Sequence, residues 1–250
     1  MAKVKTSAKI TAFITRRLLS LRYSVSITNV DLLKTDKTKL FLPNHKAMID
    51  PLLIGSQLIK YKLVSTAVSD AYYNNPIFKP ILKIVESIPV SDIEAGNRDA
   101  TVLDTIISEM AKALEKGNDI MIYPSGQISS TPNEIIKNKQ SVHKLIPILP
   151  ADVQVIGLRV SGFWGSMWSK AYSKKTPDFL KIFVKGIGIL FLNLIFFAKR
   201  RKIDLEFVDL TQEIKEKVSL ERKEFNQYLE NFYNANGDEK LVKVKYWRFY

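Results

Sequence analysis

Residues 39–54, Lys-Leu-Phe-Leu-Pro-Asn-His-Lys-Ala-Met-Ile-Asp-Pro-Leu-Leu-Ile, constrain this chain more than any other stretch. Leu40, Phe41 and Leu42 form a short apolar run, the pattern of a buried strand. Pro43 ends it, because proline has no N–H to give to a ladder. Asp50 stands just before Pro51, and proline is tolerated in a first helical turn, so a helix is expected to start there. Leu52, Leu53, Ile54 and Leu58 continue it to about Tyr61. His45 therefore falls just past a strand end, where open α/β sheets place their chemistry.

A histidine and an aspartate brought together across one turn can move a proton. The carboxylate accepts from one ring nitrogen and fixes the tautomer, which leaves the other nitrogen to take a proton from a hydroxyl. The alternative is a loop histidine beside a helix-capping aspartate. Asn44 adds a polar side chain suited to holding the loop.

The 250 residues can bury a sizeable core, and 46% hydrophobic with 25% charged content is that of a globular protein. There are no cysteines, which excludes disulfides, thiolate nucleophiles and cysteine-ligated zinc. Two histidines and no HExxH pattern argue against a protein-held metal, and none is expected. The net charge of +13 favours a polyanionic partner. Basic residues flank apolar segments at both ends of the chain, which suits a membrane surface better than nucleic acid, for which no recognition motif is present.

Residues 1–23 carry Ile10, Phe13, Ile14, Arg17, Leu18 and Leu21 at helical spacing, with Lys5, Lys9, Arg16 and Arg22 beside them. The segment is too polar to span a bilayer. It reads as an amphipathic helix lying on a membrane or docked on the domain. Beyond it, strands are expected over 23–30, 63–68, 87–91, 120–123, 153–160 and 203–210. Helices are expected over 71–86 with breaks, over 99–116, and over 211–234 capped by Thr211. His143 has no carboxylate near it in sequence and reads as structural. The Ser161–Trp168 loop is aromatic and glycine-rich; it suits an acyl-chain mouth, an interfacial anchor or a packed loop. Phe179–Ala198 is the most apolar segment and is closed by Lys199-Arg200-Arg201-Lys202. It reads as interfacial, or as a buried helix or hairpin. The tail from Lys240 is expected to run back over the domain.

The strand at 120–123 ends in Tyr123-Pro124-Ser125-Gly126-Gln127-Ile128-Ser129, a second strand-end loop able to face the same cleft as His45, or an ordinary turn. Together these residues resemble the glycerolipid acyltransferases, the glycerol-3-phosphate and lysophosphatidic-acid acyltransferase type. The family's first block is His-x4-Asp, matched by Asn44, His45 and Asp50. Its later block is Phe-Pro-Glu-Gly-Thr-Arg, matched by Tyr123, Pro124 and Gly126. The variant Pro-Ser-Gly-Gln-Ile-Ser is most similar to the lysophospholipid acyltransferase part of fusions with an acyl-carrier-protein synthetase. The resemblance covers Leu40 to about Val160. Ser125 stands where the family has glutamate and Gln127 where it has threonine or arginine, so a charged pair and a bidentate phosphate donor are lost. The family's middle block falls at 86–92, with Arg98 the nearest arginine. Arg159 and Lys139 are candidates to take over the acceptor's phosphate, Arg159 alternatively forming a surface ion pair.

The expected fold is one α/β domain, residues 24–250, with a mixed central sheet and helices on both faces, preceded by the amphipathic membrane-associating helix, residues 1–23. The resemblance implies an O-acyltransferase of phospholipid synthesis. It would move a fatty acyl group from acyl-CoA or acyl-carrier protein to the hydroxyl of a lysophospholipid or glycerol-phosphate acceptor. His45 would be the general base and Asp50 its orienting partner. Asn44, Ser125, Gly126, Gln127 and Arg159 would line the acceptor site, with no cofactor beyond the donor. Membrane lipids and acyl-carrier protein are the expected partners. The cytoplasmic face of the inner membrane is the expected location, the protein being peripheral or monotopic. The competing reading is a lipid-binding or scaffold protein on this fold, its acceptor chemistry lost with the charges at 125 and 127.

Overall fold

The computed structural model describes residues 6–69, 73–76, 79–84, 87–90 and 100–248. The expectations for the 92–97 loop, for Arg98 and for part of the 71–86 helix fall outside these residues. In chain order the elements are α1 (Thr6–Ser20), β1 (Tyr23–Thr28), β2 (Lys39–Pro43), α2 (Asp50–Leu58), β3 (Val64–Ser69), α3 (Lys79–Ile84), β4 (Ile88–Val90) and α4 (Ala100–Glu115). Then follow β5 (Asp119–Met121), α5 (Ser141–Leu145), β6 (Gln154–Ser161), α6 (Phe179–Leu192), β7 (Arg201–Asp209), α7 (Thr211–Lys217) and α8 (Arg222–Tyr233).

The described strands form one sheet in the order β1-β7-β6-β2-β5-β3-β4. Every neighbouring pair is parallel except β6 with β7, so the sheet is mixed. Alternate residues of each strand point to opposite faces, and both faces are covered. On one side Leu40, Leu42, Ile120 and Val155 pack against Met110 of α4, Leu145 of α5, Ile214 of α7 and Phe225 of α8. On the other, Phe41, Met121, Ile156 and Leu158 pack against Leu53 and Ile54 of α2. All five residues of β2 are buried, the pattern of a central parallel strand. β7 instead alternates, with Ile203, Leu205 and Phe207 buried while Lys202 and Asp204 meet solvent.

Two local expectations are corrected, one open choice is decided and one expectation holds. The charged helix after β7 is two helices, α7 and α8, separated at residues 218–221. Thr211 is not its cap: the cap position is Leu210, and the Thr211 hydroxyl instead accepts from the Val155 N–H at 2.9 Å and donates to Asp209. The Ser161–Trp168 loop is packed rather than an interfacial anchor, since Phe163, Trp164 and Trp168 are all buried. His143 hydrogen-bonds to the Leu220 carbonyl at 3.0 Å and meets Phe225 edge-on.

Two apolar surfaces stay open. α1 docks through its small residues, Ala8 and Ala12, against Ile59, so Ile10, Phe13, Ile14 and Leu18 face outward. α6 buries Ile189 but exposes Leu180, Phe183, Val184, Ile187 and Phe191. Phe196 and Phe197 follow, 94% and 74% exposed, just before the cationic run at 199–202. These surfaces are joined near the end of α1, where Arg200 reaches the Ser20 carbonyl and the Arg201 N–H bonds to the Arg22 carbonyl at 2.8 Å. The tail does run back over the domain: Glu239 accepts from the N–H groups of Gly162 and Trp164, and the Trp247 N–H bonds to the Asn193 side chain. Among the described residues no helix is long and apolar enough to cross a membrane.

Candidate active site

β2 and β5 are parallel neighbours in register Leu40↔Ile120 and Phe41↔Met121. Parallel neighbours end on the same edge of a sheet, so the loops after Pro43 and after Met121 emerge side by side. The ladder runs one bond further, from the Ile122 N–H to the Phe41 carbonyl at 3.0 Å. The Ser129 N–H then donates to the His45 carbonyl at 2.7 Å, closing one loop on the other. The two strand-end loops thus share a single site.

The His45 imidazole has its Nδ1 3.2 Å from Asp50 Oδ2, with side-chain exposures of 15% and 0%. Asp50 is the first residue of α2, yet its carboxylate does not cap that helix. Oδ2 turns back to accept the N–H groups of Lys46 at 2.7 Å and Ala47 at 2.9 Å. Those two bonds hold a buried charge in place and leave it aimed at the ring. Pro51 follows as the second residue of α2, where its missing N–H costs nothing. The other face of the problem, the ring's plane, is set by Tyr123, stacked on the imidazole with centroids 4.2 Å apart. No described residue bonds to His45 Nε2. An imidazole anchored through Nδ1 with Nε2 open is arranged to accept a proton from a hydroxyl.

The remaining residues singled out by sequence divide. Asn44 is buried with both amide atoms spent on Val160, Nδ2 donating to its carbonyl at 3.0 Å and Oδ1 accepting its N–H at 2.7 Å. It splices the His45 loop onto β6 and presents nothing to an acceptor. Arg159 lies on the α8 side of the sheet. Its guanidinium pairs with Glu206 at 2.9 Å, donates to the Phe232 carbonyl at 2.8 Å and stacks on the Phe232 ring. That is the ion-pair alternative, set up by the β6–β7 register that places Arg159 opposite Glu206. Ser125 is buried and donates to the Gln127 carbonyl at 3.0 Å. Gly126 and Gln127 are exposed at the loop tip, and Gly126 takes the left-handed φ of +61° that makes the turn. Lys139 offers its carbonyl to Asn226.

Two groups at the site, Lys46 and Glu134, were not foreseen. Lys46 and Glu134 are both buried, with Lys46 Nζ 3.8 Å from Glu134 Oε2 and 2.6 Å from the Pro132 carbonyl. Burial pushes the Glu134 carboxyl up and the Lys46 ammonium down, each opposed by the other's charge. Ser129 donates its hydroxyl to Glu134 Oε2. Burial, with Asp50 and Glu134 close by, pushes the Tyr123 phenol well above its ordinary value and keeps it neutral. Adjacency to His45 was the only sequence signal for Lys46; Glu134 had none.

A family model described as acyltransferase matches residues 24–156. Among solved structures the chain is similar to the 1-acyl-sn-glycerophosphate (LPA) acyltransferase PlsC from Thermotoga maritima. The TM-score is 0.58 at 14% identity, over 94% of this chain and 82% of that one, a likeness of fold. Comparison with curated proteins by sequence finds no match.

Proposed function

The chain belongs to the acyltransferase family, and from that premise we propose that it transfers a fatty acyl group to a glycerolipid acceptor at a membrane surface. The observation that carries the reading is the His45–Asp50 pair, 3.2 Å apart and buried on the carboxylate side, with Nε2 open beside the 124–129 loop. His45 takes the proton from the acceptor hydroxyl as its oxygen attacks the thioester carbonyl of acyl-CoA or acyl-carrier protein. The C–S bond breaks as the tetrahedral intermediate collapses, and the leaving thiolate recovers that proton. Asp50 stabilises the transient imidazolium. Backbone N–H groups of the strand-end loops stabilise the oxyanion. The acyl group passes directly, without an acyl-enzyme.

The loop tip carries Gln127 where a cation would grip a phosphate monoester, and Arg159 is spent on Glu206. A hydrogen-bonding amide suits a lysophospholipid, whose phosphate diester bears a single charge, better than a dianion. The outward apolar side chains of α1, α6 and the 194–197 turn, beside Lys199, Arg200 and Lys202, support docking on anionic lipid, and the cytoplasmic face of the inner membrane is the proposed location.

The test offers purified protein a native lipid extract with labelled acyl-CoA and labelled acyl-carrier protein in parallel, reading products by mass spectrometry beside His45→Ala. A His45-dependent acylated lipid is the expected result and names the acceptor. No product from either donor, with the protein folded, would overturn the reading in favour of a lipid-binding protein on this fold.

A further inference from the structure

Glu134 is 1% exposed, outside both sequence blocks that carry the family resemblance, and the fold spends several groups to keep it there. Its backbone is clamped at both ends by the Asn234 side chain, which accepts its N–H at 2.8 Å and donates to its carbonyl at 2.9 Å. Asn234 closes the C-terminus of α8, so the clamp ties the loop to a rigid element. The carboxylate faces two residues that control His45. Ser129 gives its hydroxyl to Oε2 and its backbone N–H to the His45 carbonyl. Lys46, which follows His45 in the chain, sends its ammonium to the same oxygen at 3.8 Å. Glu134 Oε1 has no partner among the described residues.

A buried carboxylate costs free energy that an apolar filler would not. A polar surface loop would need no such group to stay folded. What the arrangement achieves is a fixed distance between the 124–129 loop and the His45 loop, gripped at the His45 carbonyl and at the residue that follows it. We propose that Glu134 is a positioning residue for His45, acting through Ser129 and Lys46 to hold the imidazole at the angle from which Nε2 reaches the acceptor hydroxyl. The proposal rests on the acyltransferase reading above for its kinetic consequence and on geometry alone for its spectroscopic one.

The experiment compares wild type, Ser129→Ala, Ser129→Thr and Glu134→Gln. Ser129→Ala cuts the link and leaves the Lys46–Glu134 pair in place, so it decides the matter if Glu134→Gln fails to fold. In the acyl-transfer assay, Ser129→Ala and Glu134→Gln lower kcat by about 10- to 100-fold, the range lost when outer supports of ligating histidines are removed. KM for donor and acceptor stays within about twofold, because the interaction acts on the transition state and not on binding. Ser129→Thr, which restores the hydroxyl, restores kcat. By NMR, the His45 Nδ1–H resonance, with only two histidines to assign, broadens or moves upfield in both weakened variants and returns in Ser129→Thr. An undiminished kcat or an unmoved resonance in Ser129→Ala overturns the proposal. If wild type acylates nothing, the acyltransferase reading fails and the resonance still decides this one.

Discussion

Replacing Lys46 with methionine tests the electrostatics of the site without touching His45 or Asp50. Methionine fills the space of the lysine stem and removes only the ammonium. Glu134 Oε2 then loses the cation at 3.8 Å and keeps the Ser129 hydroxyl. Left alone in a buried position, the carboxylate takes up a proton. Its cost is therefore capped at the free energy of protonating a group whose unfolded pKa is about 4.3. At pH 7 that is about 1.36 kcal/mol for each of about 2.7 units, or about 3.7 kcal/mol. The cap agrees with the 3–5 kcal/mol, roughly, that breaking buried pairs costs. The sign follows from burial raising the Glu134 carboxyl in the fold. Stability tied to that proton is fully present below the unfolded pKa and is lost as pH rises. The deficit of Lys46→Met against wild type should thus shrink by about 1.4 kcal/mol per unit as pH falls from 7. The pH-dependent part vanishes where wild-type Glu134 itself protonates, leaving the smaller, pH-independent cost of the Pro132 carbonyl that Lys46 no longer meets. Urea unfolding of both proteins at pH 5, 6 and 7 measures it. A deficit equal at pH 5 and pH 7 would assign the loss to packing and not to the Glu134 charge. The double variant Lys46→Met/Glu134→Leu should recover most of the deficit, since a buried pair replaced as a unit is near neutral or stabilising.

Asp50→Asn should lower kcat by about 10³- to 10⁴-fold with the fold retained, because the amide no longer fixes the ring's tautomer; steady-state kinetics beside circular dichroism checks both halves. Gly162→Ala places a Cβ 2.2 Å from the Lys202 carbonyl oxygen at a φ of +97°. It should cost about 2–6 kcal/mol in urea unfolding, the sum of backbone strain and overpacking. Phe196→Ser and Phe197→Ser should each weaken binding to anionic vesicles by about 10- to 150-fold, a ring in lipid being worth about 1.5–3 kcal/mol. Co-sedimentation reads the loss, and a wild-type partition in the double variant would remove these rings from the membrane surface.

The His45–Asp50 pair was legible because its geometry is local. A strand, a proline and an Asp-Pro helix start determine where residues 45 and 50 can go, and only the direction of the Asp50 carboxylate had to be seen. The neighbouring loop was legible for the same reason, as an apolar run stopped by Pro124. What needed the structure was long-range pairing. Arg159 alternates onto a face of β6 that the sequence identifies, but that Glu206 lies opposite depends on β7 running antiparallel beside it. The α1 stripe was visible, yet its direction was not. Ala8 and Ala12 allow close approach to α2, so the helix docks on its small face and leaves the larger apolar side chains outside. The two-tryptophan loop could equally have met solvent until Phe163 and Trp168 were found in the core. Glu134 was hidden most completely. A glutamate between asparagine and isoleucine reads as a solvated loop residue, and its partners lie 5 and 88 positions away, at Ser129 and Lys46. The charge missing at position 125 had suggested lost chemistry, whereas a carboxylate reaches the same loop from position 134.

In the proposed mechanism His45 removes the proton from the acceptor as the acyl group passes directly. Single-turnover transfer from labelled donor by wild type and by His45→Gln, with the protein itself analysed by intact mass at each time, tests it. Expected are a rate lower by about 10³-fold or more in His45→Gln, unchanged donor affinity, and no acylated protein in either sample. A His45→Gln rate within about tenfold of wild type, or an acyl group found on the chain before it reaches the lipid, would contradict it.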